Sequence, residues 1–137
     1  MLVLVGAIRL RICDGAFMRL LKITTATQQM KSGSNLQEEA ELRRAIRSTR
    51  RTFSAEHPNV ALAHLQLGDY FYHEQRYEEA ESAYRNASEI YERLGAGHEL
   101  LLAIALRSLA QAVCAQDRHD EGNVFSAKAH GLIVNFQ

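Results

Sequence analysis

The sequence predicts an all-α fold, a right-handed superhelix of antiparallel helix hairpins, and three observations predict it. The first is recurrence. Glu38-Glu39-Ala40-Glu41 returns as Glu78-Glu79-Ala80-Glu81 and again as Asp120-Glu121-Gly122, while Leu67-Gly68 returns as Leu109-Ala110. His57-Pro58 has its echo in His98-Glu99. Counted from Ala40 to Ala80 to Gly122, the period is 40 to 42 residues, and self-similarity at such a period marks a helical repeat array. The second is apolar spacing: Ala61, Leu65, Gly68 and Tyr72 step along one side of a helix, as do Ala80, Tyr84, Ala87 and Tyr91. The third is composition. Alanine, leucine, glutamate and arginine are abundant and favour helix, and with 1 proline and 8 glycines there is little material for a linker.

Residues 1–15 are the hardest to read. Apolar residues 8, 10 and 12 alternate with Arg9 and Arg11 as in a strand, yet Leu4, Ile8 and Ile12 also make a helical stripe. A helical cap is preferred, because a lone strand has nothing to pair with. Asp14-Gly15 is a turn signal. Residues 16–30 read as a helix with Phe17, Leu20, Leu21 and Thr24 on one face, and residues 31–35 as a loop in which Ser34 or Asn35 caps the next helix. Residues 36–53 are amphipathic. Leu42, Ile46, Thr49 and Phe53 form the inward stripe, and Arg43, Arg47, Arg50 and Arg51 the outward one.

Residues 58–75 follow, opened by Pro58 at the first helical position, where a missing N–H costs nothing. Gly68 in mid-helix costs about 1 kcal/mol relative to alanine, so close approach of a neighbouring helix is expected there. Gln75-Arg76 is a turn, residues 77–94 are the partner helix, and Gly95 and Gly97 stop it. Residues 100–116 form an unusually apolar helix with Ala103, Leu106, Ala110 and Val113 as its buried line. After the turn at 117–119, residues 120–134 close the chain with Phe125, Ala129 and Ile133 inward. The expected organisation is a segment 1–15, a partial repeat 16–56, and repeats 57–97 and 98–137.

At 137 residues the chain is one domain by length, 47% apolar and 23% charged. The two cysteines, Cys13 and Cys114, stand far apart without a partner motif and read as unpaired thiols in a reducing compartment. No signal-peptide pattern is present and the apolar start is too short to span a bilayer, so a cytoplasmic location is expected. The zero net charge hides a split: residues 1–53 carry ten basic and four acidic side chains (+6), and residues 54–137 six and twelve (−6).

Leu67, Gly68, Phe71, Tyr77, Ala80, Tyr84 and Ala87 together resemble the tetratricopeptide repeat, whose first helix carries a leucine, a small residue and an aromatic, and whose second opens on alanine with an aromatic four residues later. The long period, the acidic text around Ala80 and the His57-Pro58 boundary resemble the kinesin-light-chain-like branch. The likeness covers residues 36–134. His64 stands where many repeats have tryptophan or leucine, Gly122 replaces the second-helix alanine in the last repeat, and Ser126 replaces its aromatic. The resemblance implies that first helices line a concave wall. It would expose Leu65, Gln66, Asp69, Tyr72, His73, Arg107, Ser108 and Gln111, with Cys114 at its edge, and bind a protein or peptide partner without catalysis.

The residues suggest no cofactor and no enzyme. None of the six histidines pairs with another at i, i+4, and neither cysteine joins them at metal-ligand spacing. Neither a phosphate-binding glycine loop nor Gly-x-Ser-x-Gly occurs. The arginine stripe reads as a solvated outer face rather than a nucleic-acid grip, since no aromatics interleave with it. A second function class stays open: a self-assembling module, drawn together by the charge split and by the apolar end Leu132-Ile133-Val134.

Overall fold

A computed structural model describes the backbone of residues 15–135 and the side chains of residues 33–135. Among the described residues there are five helices and no strand: α1 (Gly15–Phe53), α2 (Pro58–His73), α3 (Tyr77–Leu94), α4 (Glu99–Cys114) and α5 (His119–Val134). The chain divides into two units, Met1–Glu38 and Glu39–Gln137. The described part of the first is helical from Gly15 onward. The second is a helical solenoid: hairpin α2–α3 packs on hairpin α4–α5, and the last turns of α1 pack on the first hairpin.

The loop expected at residues 31–35 is not there; α1 runs through it unbroken. No proline interrupts the stretch, and prolonging a helix adds one hydrogen bond per residue ordered, whereas starting a new helix carries a nucleation cost. The about 1 kcal/mol disadvantage of Gly33 is too small to reverse that balance. The cap expected over residues 1–14 lies outside the described residues.

Each hairpin is punctuated as its residues dictate. His57 is the N-cap of α2, its Nδ1 accepting from the Asn59 backbone N–H at 3.1 Å, with Pro58 at the first position. The turns inside the two hairpins match. Gln75 and Asp117 both take φ +61°, which returns the N–H of Arg76 to the carbonyl of Phe71 (2.8 Å) and that of Arg118 to Val113 (3.3 Å). Between the hairpins the chain needs φ +68° at Gly95 and +93° at Gly97, conformations that favour glycine.

The core lies where the hairpins meet. Val60, Tyr91, Leu109 and Val113 are its largest fully enclosed side chains. The expected stripes of α3 (Ala80, Tyr84, Ala87, Tyr91) and α4 (Ala103, Leu106, Ala110, Val113) are all buried. Two stripes need correction. In α1, Ile46 is buried, but Phe53 is 46% exposed and stacks on His57 instead, ring centroids 4.3 Å apart. In α5, Ala129 is buried and Phe125 half-buried, but Ile133 is 40% exposed. The reason in both is position: Phe53 sits at the corner where α1 ends, and among the described residues no helix packs beyond α5.

Close helix crossings explain the small residues. A Cβ on Gly68 would come within 2.5 Å of the Tyr84 ring. One on Gly122 would run into Cys114 Sγ and lie 3.1 Å from the Ala110 carbonyl. The departures in the last repeat are therefore exchanged volumes. Where Tyr84 becomes Ser126, Gly68 becomes Ala110; where Ala80 becomes Gly122, a thiol takes the space.

Ion pairs set the true register. Arg76 bridges Glu39 (2.6 Å) and Glu79, and Arg118 bridges Glu81 (2.8 Å) and Glu121. Arg43 reaches back one turn to Glu39 (2.9 Å) as Arg85 does to Glu81 (2.8 Å). Glu39 thus plays the part of Glu81, Arg43 that of Arg85 and Arg76 that of Arg118, an interval of 42 throughout. Burial agrees: Ile46 matches the buried Ser88 at this interval, and the exposed Asn86 at the interval of 40. The echo of the acidic text at 40 is two residues out of step with the fold. The acids of α3 and α5 sit in first turns, where the helix dipole favours them, but those of α1 lie in mid-helix.

Candidate functional site

The first helices of the two hairpins each leave one stripe uncovered. On α2 it is Leu62, Gln66, Asp69 and His73; on α4 it is Leu100, Ile104, Arg107 and Gln111. Steps of four, three and four keep each set on one side of its helix. The interval of 42 places Leu62 level with Ile104, Gln66 with Ser108 and Asp69 with Gln111. At equivalent positions of the two hairpins the stripes therefore expose an apolar residue, Leu62 (48% exposed) on α2 and Ile104 (47%) on α4, followed along each helix by polar side chains.

Of the eight residues expected on this wall, Gln66, Asp69, His73 and Gln111 stand on the stripes and are exposed, and Ser108 is half-buried. Asp69 is tied from behind: the Tyr84 hydroxyl donates to its Oδ1 at 2.7 Å. Burial, and then this neighbouring carboxylate, push the Tyr84 phenol well above its usual range, so it remains a donor. Tyr72 is half-buried, edge-on to Tyr77 with centroids 5.4 Å apart, so it is a packed residue with one free side rather than a projecting anchor.

Leu65 is a correction. It is 7% exposed and belongs to the core. Its counterpart Arg107 shows why. Arg107 shares a cleft of about 340 Å³ with Ser126, Ala129, His130 and Ile133. At the interval of 42 these match Leu65, Tyr84, Ala87, Ser88 and Tyr91, all buried in the first hairpin. Position 65 thus faces the stacking surface, which the second hairpin covers; Arg107 is open because it borders the corresponding surface of the last hairpin. Leu62, Leu100 and Ile104 were missed. The signal was present, since Leu62 lies one turn before Gln66 on the same face, but it is read only once the polar positions are known to point outward.

Among the described residues no group of three or more His, Cys, Asp or Glu side chains is placed to hold a metal ion. Cys114 is a free, half-buried thiol. His64 and His98 each bury an Nδ1 that has no hydrogen-bond partner, His98 lying flat on Tyr91 with centroids 6.4 Å apart. Among the described residues no helix is long and apolar enough to cross a membrane.

No curated protein matches the chain. Repeats of the family that does match generally mediate protein–protein contact and are typically non-catalytic. The tetratricopeptide repeat family matches residues 60–121, from the first turn of α2 to the first turn of α5, and with the stacked hairpins this supports a tetratricopeptide repeat protein.

Proposed function

We propose that the protein is a non-catalytic, cytoplasmic adaptor that binds a protein or peptide along the outward stripes of α2 and α4. The observation that carries the reading is the matched apolar pair Leu62 and Ile104, uncovered on helices whose other faces are in the core. Exposed apolar side chains flanked by the Gln66 and Gln111 amides and the Asp69 carboxylate offer burial for a side chain and hydrogen bonds for an extended backbone. The kinesin-light-chain-like branch is supported by the His57 N-cap and by the long interval.

The test pairs Leu62→Glu with Ile104→Glu. Both sites are half exposed, so far-UV circular dichroism should be unchanged, while partners retained by the wild-type chain in a pull-down should be lost. A variant that retains them all sinks the assignment of the stripe.

Self-assembly is the second reading. It is favoured by the exposed Val124, Ile133 and Val134 of α5 and by the +6/−6 split. A monomer by light scattering at both low and high salt removes it.

A further inference from the structure

We infer that His64 is a proton-operated latch, and that its protonation releases the last turns of α1, residues 39–53, from the hairpin α2–α3. The latch is independent of the outward stripes of α2 and α4.

His64 sits half-buried on α2, on the side that the end of α1 covers, and shares its surroundings with Ile46, Leu67 and Phe71. Its Nδ1 is buried without a hydrogen-bond partner. At the interval of 42 the position belongs to Leu106, 2% exposed in the second hairpin. An ionisable ring therefore stands where the fold elsewhere packs a leucine. The charges facing it from α1 are all of one sign: Arg43 and Arg47 line the same cleft, and Arg50 acts on the imidazole from the next turn. From α3 the facing acid is Glu79, and both of its carboxylate oxygens already accept from Arg76. Along α2 itself, Val60, Ala61, Leu67 and Gly68 lie three and four residues to either side, and none carries a charge.

Protonation puts a second ring N–H into this interface with no acceptor, and a cation beside three guanidiniums. Burial, and then Arg50, already hold the imidazole below its ordinary value of 6.5. Once α1 lifts, water reaches the ring and it titrates at that ordinary value. The undocked state thus binds the proton more readily. Docking is at full strength above the ordinary imidazole value and weakens as pH falls from there toward the depressed one. The carboxylates of Glu39 and Glu81 respond only further down, below their ordinary value of 4.5.

α1 is the element that yields. Among the described residues it places one buried side chain, Ile46, in the core, against eight buried residues of α2 and seven of α3. Its further ties include the half-buried Leu42, the ion pair of Glu39 with Arg76 and the stack of Phe53 on His57. The joint to α2 passes through Ser54 at φ +107°, a conformation that residues with a side chain rarely adopt, so letting α1 go also relaxes strain there. Release uncovers Ile46, Leu67 and Phe71 together.

The experiment follows the full chain by NMR from about pH 7.5 to about pH 5.0, a span in which imidazoles titrate and ordinary carboxylates stay ionised. The Ile46 methyl groups should keep their NOEs to the α2–α3 hairpin at the upper end and lose them at the lower, with a midpoint that follows the His64 ring protons. Leu109, at the centre of α4, should keep its own throughout. His64→Leu, which copies Leu106, should retain the Ile46 contacts at every pH. Arg47→Gln with Arg50→Gln should raise the midpoint of the His64 ring titration toward its ordinary value. Ile46 contacts unchanged at about pH 5.0 in the wild type overturn the latch. So does their loss in His64→Leu at the same pH as in the wild type, or a loss in step with the contacts of Leu109, which would mean general unfolding. An unmoved midpoint in the arginine variant overturns the part given to charge. Should His64→Leu not fold, His64→Asn, uncharged and of similar reach to Nδ1, decides in its place.

Discussion

Replacing Gly68 by alanine sets helix propensity against packing, and the structure decides the sign. By propensity alone, Gly68→Ala in the middle of α2 should stabilise the protein by about 1 kcal/mol. The new Cβ, however, would lie 2.5 Å from Tyr84 Cε1, 2.6 Å from Cδ1 and 3.0 Å from Cζ. Tyr84 has nowhere to retreat: it is 3% exposed and its hydroxyl is bonded to Asp69. Overpacking of this kind costs about 1–3 kcal/mol, and displacing the ring also strains a hydrogen bond to a charged acceptor, worth about 1.5–3 kcal/mol. The expected net effect is a loss of about 1–3 kcal/mol. At about 4 °C per kcal/mol, where the ranges for smaller and larger domains meet, Tm should fall clearly in a thermal melt followed by circular dichroism. A double-mutant cycle isolates the cause. In the Tyr84→Ser background, which copies the Ala110 and Ser126 pair, Gly68→Ala should become stabilising by about 0.5–1 kcal/mol. A rise in Tm for Gly68→Ala alone, or the same sign in both backgrounds, would refute the crossing argument.

Three further outcomes follow from the same packing and ion pairs. Gly122→Ala should destabilise by about 1–3 kcal/mol, because its Cβ runs into the Cys114 thiol, and Cys114→Ala should restore most of the loss in a urea melt. Leu109→Ala, at 1% exposure in the centre of α4, should cost about 2–5 kcal/mol and broaden or abolish the unfolding transition. The third is acid sensitivity. Burial opposes ionisation of Glu81, but hydrogen bonds from Arg85, Gln116 and Arg118 together outweigh it and hold the carboxyl below its ordinary value. At Glu39 the Arg76 hydrogen bond leads and has the same effect. Groups with lowered folded pKa values stabilise above the unfolded carboxylate pKa, and that stability is lost as pH falls through the folded value. Urea midpoints should therefore drop on acidification below the ordinary carboxylate range, and Glu81→Gln should lower the neutral-pH midpoint and flatten that decline.

Much of the fold was legible because hairpin packing is written in local residues. The stripes through Tyr84 and Tyr91 and through Leu106 and Val113 show their period within single helices. Gly68 announced a close crossing, and His57-Pro58 a helix start. The errors arose where local text has two physical meanings. Ser34 and Asn35 can cap a helix or ride within one, and only the continuous backbone of α1 chose. The acidic run at Glu38 resembles the first turns of α3 and α5, yet the partner taken by each arginine puts the interval at 42 and pairs Glu39 with Glu81 in role.

The candidate surfaces were less legible. Leu65 and Leu62 are the same residue type one turn apart on one helix, but one is covered and the other open. Which of them meets solvent depends on where the next hairpin sits. Residue by residue, then, the chemistry of this chain determined its helices, its punctuation and the faces that must be hidden, because those depend on neighbours three or four positions away. The tertiary structure alone decided the register between hairpins, the exposure of Leu62 and Ile104, and the cleft lined by Ile46, Phe71 and Ala83. Each of these depends on residues some forty positions apart being brought together.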